Sequence, residues 1–400
     1  LASYTKDRKI QHLFENLSYY ARLSLRKKTM GKSTGFVYHE QFAWHDSGNW
    51  AGFLPPGFPL QPGMHVEHPE TKRRFKNLLD ASGFIDELII LKPSMASDED
   101  ILRFHTEDYL KSVKKLSAET GGDAGELTQV GLGSFEIAKL AAGGVINATE
   151  SVLSGDIDNA YVLARPPGHH AEADMGRGFC IFGNIVIAVK HAQACLGVGR
   201  VAVVDWDVHH GNGTETAFYD DPNVLTISAH QDNWYPPERG LVADDGIGEG
   251  KGFSINLPLP PGSGVGAYES AFDRVVVPAL ESFKPEIIFV GSGFDSSAFD
   301  PLGRMMMHSK GYASLTRKLM KAADELCGGR LVMAHEGGYS PSYVPFCGLA
   351  VLEALADKKS CVEDPFLGFA EGMAGQDLQP HQDDLIALVE RHIGQYLKIS

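Results

Sequence analysis

Residues 203–213 read VVDWDVHHGNG, an apolar run that passes without a break into Asp205, Asp207, His209 and His210. In an extended chain, side chains two apart share a face, so Asp205, Asp207 and His209 project to one side while Trp206 and Val208 project to the other. Two carboxylates and an imidazole thus converge at a strand end. A buried carboxylate without a partner is costly, and a cation is its natural partner. Asp-x-Asp alone reads equally well as a hydrogen-bonded turn; carried on into His-His-Gly at a strand end, it points to a bound metal.

Working outward, three other apolar runs end in the same way. Residues 287–291 lead into SGFDSS and Asp295, residues 160–164 into RPPGHHAE with His169 and His170, and residues 331–334 into HEGGYSP with His335, Glu336 and Tyr339. Strands are expected at 160–164, 201–205, 224–228, 253–257, 286–291 and 330–334, and helices at about 134–153, 181–196, 267–283, 310–326 and 348–356. This alternation predicts an α/β fold, a largely parallel sheet covered by helices on both faces, and ligands in such sheets gather beyond the carboxyl ends of the strands. Singly, a His-His pair or a Gly-Gly-Tyr turn is often structural. Four polar clusters at one edge argue for a site. The Gly- and Pro-rich stretches 50–63 and 234–251 are too long for ordinary connections and read as binding loops.

With 400 residues and 43% hydrophobic content the chain can bury a large core, and no repeat or linker divides it. Its 36 Lys+Arg against 51 Asp+Glu give a net charge of -15, which repels a phosphate backbone and draws in cationic substrates, so nucleic acid is not an expected partner. Five scattered cysteines without a C-x-x-C suit a reducing compartment. No apolar run approaches the roughly 20 residues of a membrane span, and no signal-peptide pattern is evident. The expectation is a soluble protein of the cytoplasm, or of the nucleus as well in a eukaryote. Residues 1–34 differ from the rest, with Lys6, Arg8, Lys9, Arg22, Arg26, Lys27, Lys28 and Lys32 facing only Asp7 and Glu15. They are expected as a basic extension, helical or partly disordered, ahead of a single catalytic domain at 35–400; a solvated face is the plainer reading of such a run than a partner-binding arm.

One imidazole with two carboxylates leaves coordination positions open, as a catalytic zinc or another Lewis-acidic divalent ion requires, and the absence of cysteine argues against a structural zinc. Such a metal acidifies water and polarises a carbonyl, while adjacent histidines can move the protons. No G-x-S-x-G elbow offers a competing nucleophile. The reaction class is metal-assisted hydrolysis of an amide or ester.

In order along the chain, RPPGHHA, MGRGFCIFGN, VVDWDVHHGNGT, VLTISAHQ, LPLPPGSG, VGSGFD and EGGY together resemble the zinc-dependent histone deacetylase superfamily, specifically its class II branch with the bacterial histone deacetylase-like amidohydrolases. The resemblance spans about residues 36–396 and implies the arginase-like α/β fold and hydrolysis of acyl-lysine in a protein or peptide. It implies that Asp207, His209 and Asp295 hold zinc, that His170 is the general base and acid, and that His169 is a second imidazole oriented by Asp205. Tyr339 would stabilise the oxyanion. Asn212 stands behind the second histidine where the family often has Asp, as is typical of class II, and a neutral partner raises basicity less than a carboxylate. The acyl-lysine channel would be walled by Gly178 and Phe179 on one side and by Tyr235, or its neighbour Trp234, on the other. Leu302 stands where polyamine-preferring relatives carry an acidic residue. Potassium is implied at backbone carbonyls of Asp205, Asp207 and His209 with Ser228 and Ala229, and a second potassium at Phe218, Asp221 and Val224; Ser228 otherwise reads as a hydrogen-bonding strand residue.

Other readings stay open to the sequence. A polyamine or small-molecule amidohydrolase, or an arginase-like ureohydrolase, would share the fold, although ureohydrolases use two metals and only one three-ligand set is evident. A pseudoenzyme that binds acylated partners would be marked by loss of the tyrosine or of a ligand, and neither is lost.

Overall fold

Strands that are apolar on both faces need cover on both, and the alternation of side chains decides which residue goes where. In the computed structural model, which describes residues 31–397, eight parallel strands form the central sheet: β1 (Thr34–Val37), β2 (Ile89–Leu91), β3 (Asn159–Val162), β4 (Val201–Asp205), β5 (Val224–Gln231), β6 (Ser254–Leu259), β7 (Ile287–Ser292) and β8 (Leu331–His335). Their spatial order is β6-β5-β4-β7-β8-β3-β1-β2. Along β4, Val201 and Val203 join one core cluster while Ala202 and Val204 join the other, and β7 repeats the pattern with Ile287 and Phe289 against Ile288 and Val290.

Six principal helices supply the two layers: α1 (Glu70–Ala81), α2 (Ser134–Leu153), α3 (Asn184–Cys195), α4 (Ser309–Cys327), α5 (Val344–Ala356) and α6 (Pro380–Ile393). Phe75 of α1, Leu315 of α4, Leu352 of α5 and Ile386 of α6 share one cluster, and Val145 of α2 with Val186 of α3 share the other. Among the described residues no helix is long and apolar enough to cross a membrane.

The six expected strands are all present, within a few residues at their ends. Two more, β1 and β2, extend the sheet at one side; both are short, and they carry little pattern of their own. The expected helix at 267–283 is interrupted: Val265–Ala271 and Val277–Phe283 are joined by a π turn over Phe272–Val276. Pro278 has no N–H to give and its ring crowds the carbonyl four residues back, so the turn before it widens. The basic stretch up to residue 30 lies outside the described residues. Sheet structure begins at Thr34, with Ser33 anchored by its amide to Asp158 Oδ2 at 2.9 Å.

Candidate active site

The strands at the middle of the sheet, β4, β7, β8 and β3, end side by side, and their carboxyl ends bring the polar clusters together. Beyond β4, Asp207 and His209 meet Asp295 from the loop after β7: His209 Nδ1 lies 3.1 Å from both Asp207 Oδ1 and Asp295 Oδ2. The three side chains are buried and their ligand atoms lie within 4.8 Å of one another. Backbone amides set the carboxylates: Gly337 donates to Asp207 Oδ2 at 2.7 Å and Val208 to Asp295 Oδ1 at 2.8 Å. Gly337 has to be glycine, because a Cβ there would stand 2.0 Å from Asp295 Oδ2. Burial and the neighbouring Asp207 charge push the Asp295 carboxyl up, and against burial the two carboxylates raise His209 to about 9. Two dry carboxylates that repel each other, and that draw a proton onto His209, are what a zinc-sized cation would relieve; the donor types fit.

A second group, His169, Cys180 and Glu336, also brings its ligand atoms within 4.8 Å. It is otherwise engaged. His169 Nδ1 bonds Asp205 Oδ2 at 3.0 Å, Glu336 Oε2 accepts the amides of Gly168 and His169 at 2.6 and 3.0 Å, and burial holds the Cys180 thiol well above its usual range, hence protonated.

The two adjacent histidines have opposite environments. Burial disfavours a charged His169, but Asp207 and Asp205 outweigh it and raise the ring to about 10. His170 bonds the Asn212 side-chain oxygen through Nδ1 at 2.7 Å, and burial with the His169 and His209 rings pushes it well below the usual imidazole range. The rings lie 4.0 Å apart.

His170, His209 and Tyr339 share a pocket of about 340 Å³ with Gly178, Phe179, Tyr235 and Leu302, the four expected channel residues. Gly178, at φ +52, leaves room that a Cβ would fill 2.4 Å from the His170 ring. Phe179 follows at φ +71, its amide donating to the Leu127 carbonyl at 3.1 Å. Tyr235 packs edge-on to His170 at 5.1 Å and its hydroxyl donates to Glu126 at 3.2 Å; Trp234 lines the pocket as well, with its indole N–H on the Leu302 carbonyl at 2.6 Å.

The sequence profile of the histone deacetylase domain matches residues 65–355. The chain belongs to the histone deacetylase family. It is 50% identical over 345 residues to the histone deacetylase-like amidohydrolase of Pseudomonas aeruginosa, covering 86% of this chain and 91% of the relative. It is 36% identical over 329 residues to a probable deacetylase of Archaeoglobus fulgidus, covering 81% and 86%. The crystal structure of the HDA15 HD domain superposes with a TM-score of 0.80 at 27% identity, over 92% of this chain and 97% of that one. The histone deacetylase fold and hydrolysis of an amide follow for this chain, in a zinc-dependent family.

This histone deacetylase-family site also contains residues that the motifs did not single out. Phe53, Leu127, Pro301 and Arg304 complete the pocket; Phe53 comes from the Gly- and Pro-rich stretch 50–63, whose length was its signal. Arg165, fully buried, donates to Glu67 Oε1 at 2.9 Å and to the carbonyls of Phe42 and His45 at 2.9 and 2.7 Å. Lys72, also buried, reaches Glu67 at 3.4 Å and stands 5.9 Å from the Tyr339 ring centre. The one available signal was a lone arginine straight after an apolar strand. Tyr339 itself is anchored by its amide to Asp300 Oδ2 at 2.6 Å.

Two residues of the clusters turn away. His335 bonds the Tyr161 hydroxyl at 3.0 Å in the core, and His210 packs on His230 with ring centres 4.8 Å apart. Ser228 lies opposite Asp205 in the sheet, its hydroxyl 3.0 Å from His230 Nδ1, with Ala229 next in β5. The carbonyls of Phe218 and Asp221 accept successive turn bonds from Asp221 and Val224 at 3.0 and 3.3 Å.

Proposed function

We propose that this chain removes acyl groups from lysine side chains of proteins or peptides, with Asp207, His209 and Asp295 holding zinc. The observation that carries the reading is that His209 of that donor set opens, together with His170 and Tyr339, onto a single aromatic slot. Bound zinc supplies Lewis-acid polarisation of the acyl carbonyl and acidifies water at neutral pH. Phe179 and Tyr235 flank the four-carbon lysine stem, an apolar chain that aromatic faces suit. Leu302 adds no charge for a polyamine ammonium. His170, its Nδ1 engaged by Asn212, uses Nε2 to take the proton of the attacking water and return it to the departing amine. His169, held by Asp205, keeps positive charge beside the reaction. Tyr339 donates its hydroxyl to the developing oxyanion.

In the same reading, potassium is held by the carbonyls of Asp205, Asp207 and His209 with Ser228 and Ala229, and a second potassium by Phe218, Asp221 and Val224. Backbone carbonyls suit a hard monovalent cation.

The test is a turnover panel of acetyl-, trifluoroacetyl- and longer acyl-lysine peptides beside acetylpolyamines under defined zinc, repeated with Tyr339→Phe. Acyl-lysine peptides should be the preferred substrates. The Phe variant should lose about 2.7–4 kcal/mol of transition-state stabilisation, the scale of one oxyanion donor. Full activity of that variant would remove Tyr339 from its role, and a preference for acetylpolyamines would reassign the substrate.

A further inference from the structure

Asn212 stands between His170 and a carboxylate. Its side-chain oxygen lies 2.7 Å from His170 Nδ1, and its amide nitrogen donates to Glu172 Oε1 at 2.8 Å and to the His170 carbonyl at 3.3 Å. An asparagine side chain has two orientations, and they ask opposite things of a neighbouring imidazole. With the oxygen toward the ring, Nδ1 must carry the proton and Nε2 keeps its lone pair; with the NH2 toward the ring, the tautomer reverses. An ionised carboxylate can only accept, so Glu172 takes the NH2 end and turns the oxygen to His170.

Glu172 does not act alone. Arg177 Nη1 donates to the same Glu172 oxygen at 2.8 Å, while Arg177 Nε and Nη2 hold Glu126 Oε2 at 2.9 and 2.7 Å. The Tyr235 hydroxyl donates to the other oxygen of Glu126 at 3.2 Å. A continuous chain of hydrogen bonds therefore runs from the channel wall, through Glu126, Arg177, Glu172 and Asn212, to His170. Arg177 and Glu172 are only 18% and 19% exposed, which limits competition from water.

We propose that Glu172 and Arg177 are positioning residues, which fix the orientation of the Asn212 amide and through it the Nδ1–H tautomer of His170. A carboxylate placed directly behind His170 would give the same direction together with a full charge against the ring. Here the direction is kept and the charge stands one side chain further away. The inference rests on the reading of His170 as the base.

The experiment uses the zinc-loaded full chain and an acetyl-lysine peptide, with steady-state kinetics and 15N-histidine NMR of each variant. Glu172→Ala should lower kcat roughly tenfold to hundredfold, the range for removing an outer-shell partner, with KM within about twofold. Its His170 signals should shift from the single Nδ1–H form to a mixture. Glu172→Gln, whose oxygen can still accept from both Asn212 and Arg177, should recover most of the loss. A kcat for Glu172→Ala within about twofold of the parent, an unchanged tautomer, or a Gln variant as poor as the Ala one would each overturn the proposal. If Glu172→Ala does not fold, Arg177→Met carries the same test through the same two readouts. His170→Ala is measured alongside: turnover retained there brings down the reading of His170 as base, whereas turnover lost there with Glu172→Ala unimpaired brings down only this inference.

Discussion

At the amino ends of the central strands the charges face water; at the carboxyl ends they do not. Glu286, just before β7, accepts the amides of Gly199 and Arg200 at 3.1 and 3.0 Å on the surface, and the pairs Lys32 with Asp324 and Lys358 with Glu87 lie at the same side of the sheet, all partly exposed. At the other end Asp205, Asp207, Asp295, Glu336 and Glu67 are buried, together with Arg165, Lys72, His169 and His170. An exposed pair contributes roughly 0–1 kcal/mol, since water screens it and two long side chains must be ordered. Buried charges cost several kcal/mol each to desolvate and regain that only through well-formed networks. The carboxyl end is thus built for chemistry, and the amino end adds little beyond solubility.

The largest expected break of this contrast comes from removing one anion of the proposed metal set. Asp295→Asn should fall below one zinc per chain and lose peptide deacetylation to background, and chelation of the parent should do the same, reversibly on adding zinc. Stoichiometric zinc with full turnover in the variant would take Asp295 out of the set.

Next is the network behind Tyr339. Glu67→Gln leaves Arg165 and Lys72 buried without their anion and should cost about 3–5 kcal/mol in urea unfolding. Burial opposes the Glu67 charge, yet Arg165 and Lys72 prevail and hold its carboxyl far below the usual range. A depressed carboxylate contributes stability that is fully present above its unfolded value, near about 4.3, and is lost as pH falls below it toward the folded value. Below about pH 5 the parent should therefore lose stability more steeply than Glu67→Gln; parallel slopes would exclude the pair as the cause.

The smallest effect belongs to the amino end. Lys358→Ala, which removes the pair with Glu87, should change unfolding free energy by less than about 1 kcal/mol, and by less still in 1 M salt. A loss comparable to that of Glu67→Gln would erase the distinction between the two ends.

Much of the site was legible because its residues follow apolar strands directly. Asp207, His209 and Asp295 are delivered by β4 and β7, and His170 and Tyr339 by β3 and β8, so strand patterning alone placed them at one edge. Trp206 and Val208 do pack on one core cluster, as the alternation at 203–213 required. His335 and His210 reach the same edge but face away from the pocket: His335, the last residue of β8, lies in the core beside Tyr161, and His210 packs on His230. Glu67, Lys72 and Glu126 had no pattern to announce them, and Glu172 closes the stretch RPPGHHAE without a role that the stretch reveals. Lys72 lies in the first turn of α1 and the others in or beside loops, and their partners are distant in sequence or a few residues along the chain.

The sequence by itself determined the parallel sheet, the edge at which its polar clusters gather and the donor types of the proposed metal set, because periodicity and residue chemistry are local properties. Only the tertiary structure decided that Asn212 is held between His170 and Glu172, that Lys72 lies behind Tyr339, and that two adjacent histidines have opposite electrostatic surroundings. Those outcomes depend on burial and on the partner each polar atom finds across the fold, and neither is written in the spacing of the chain.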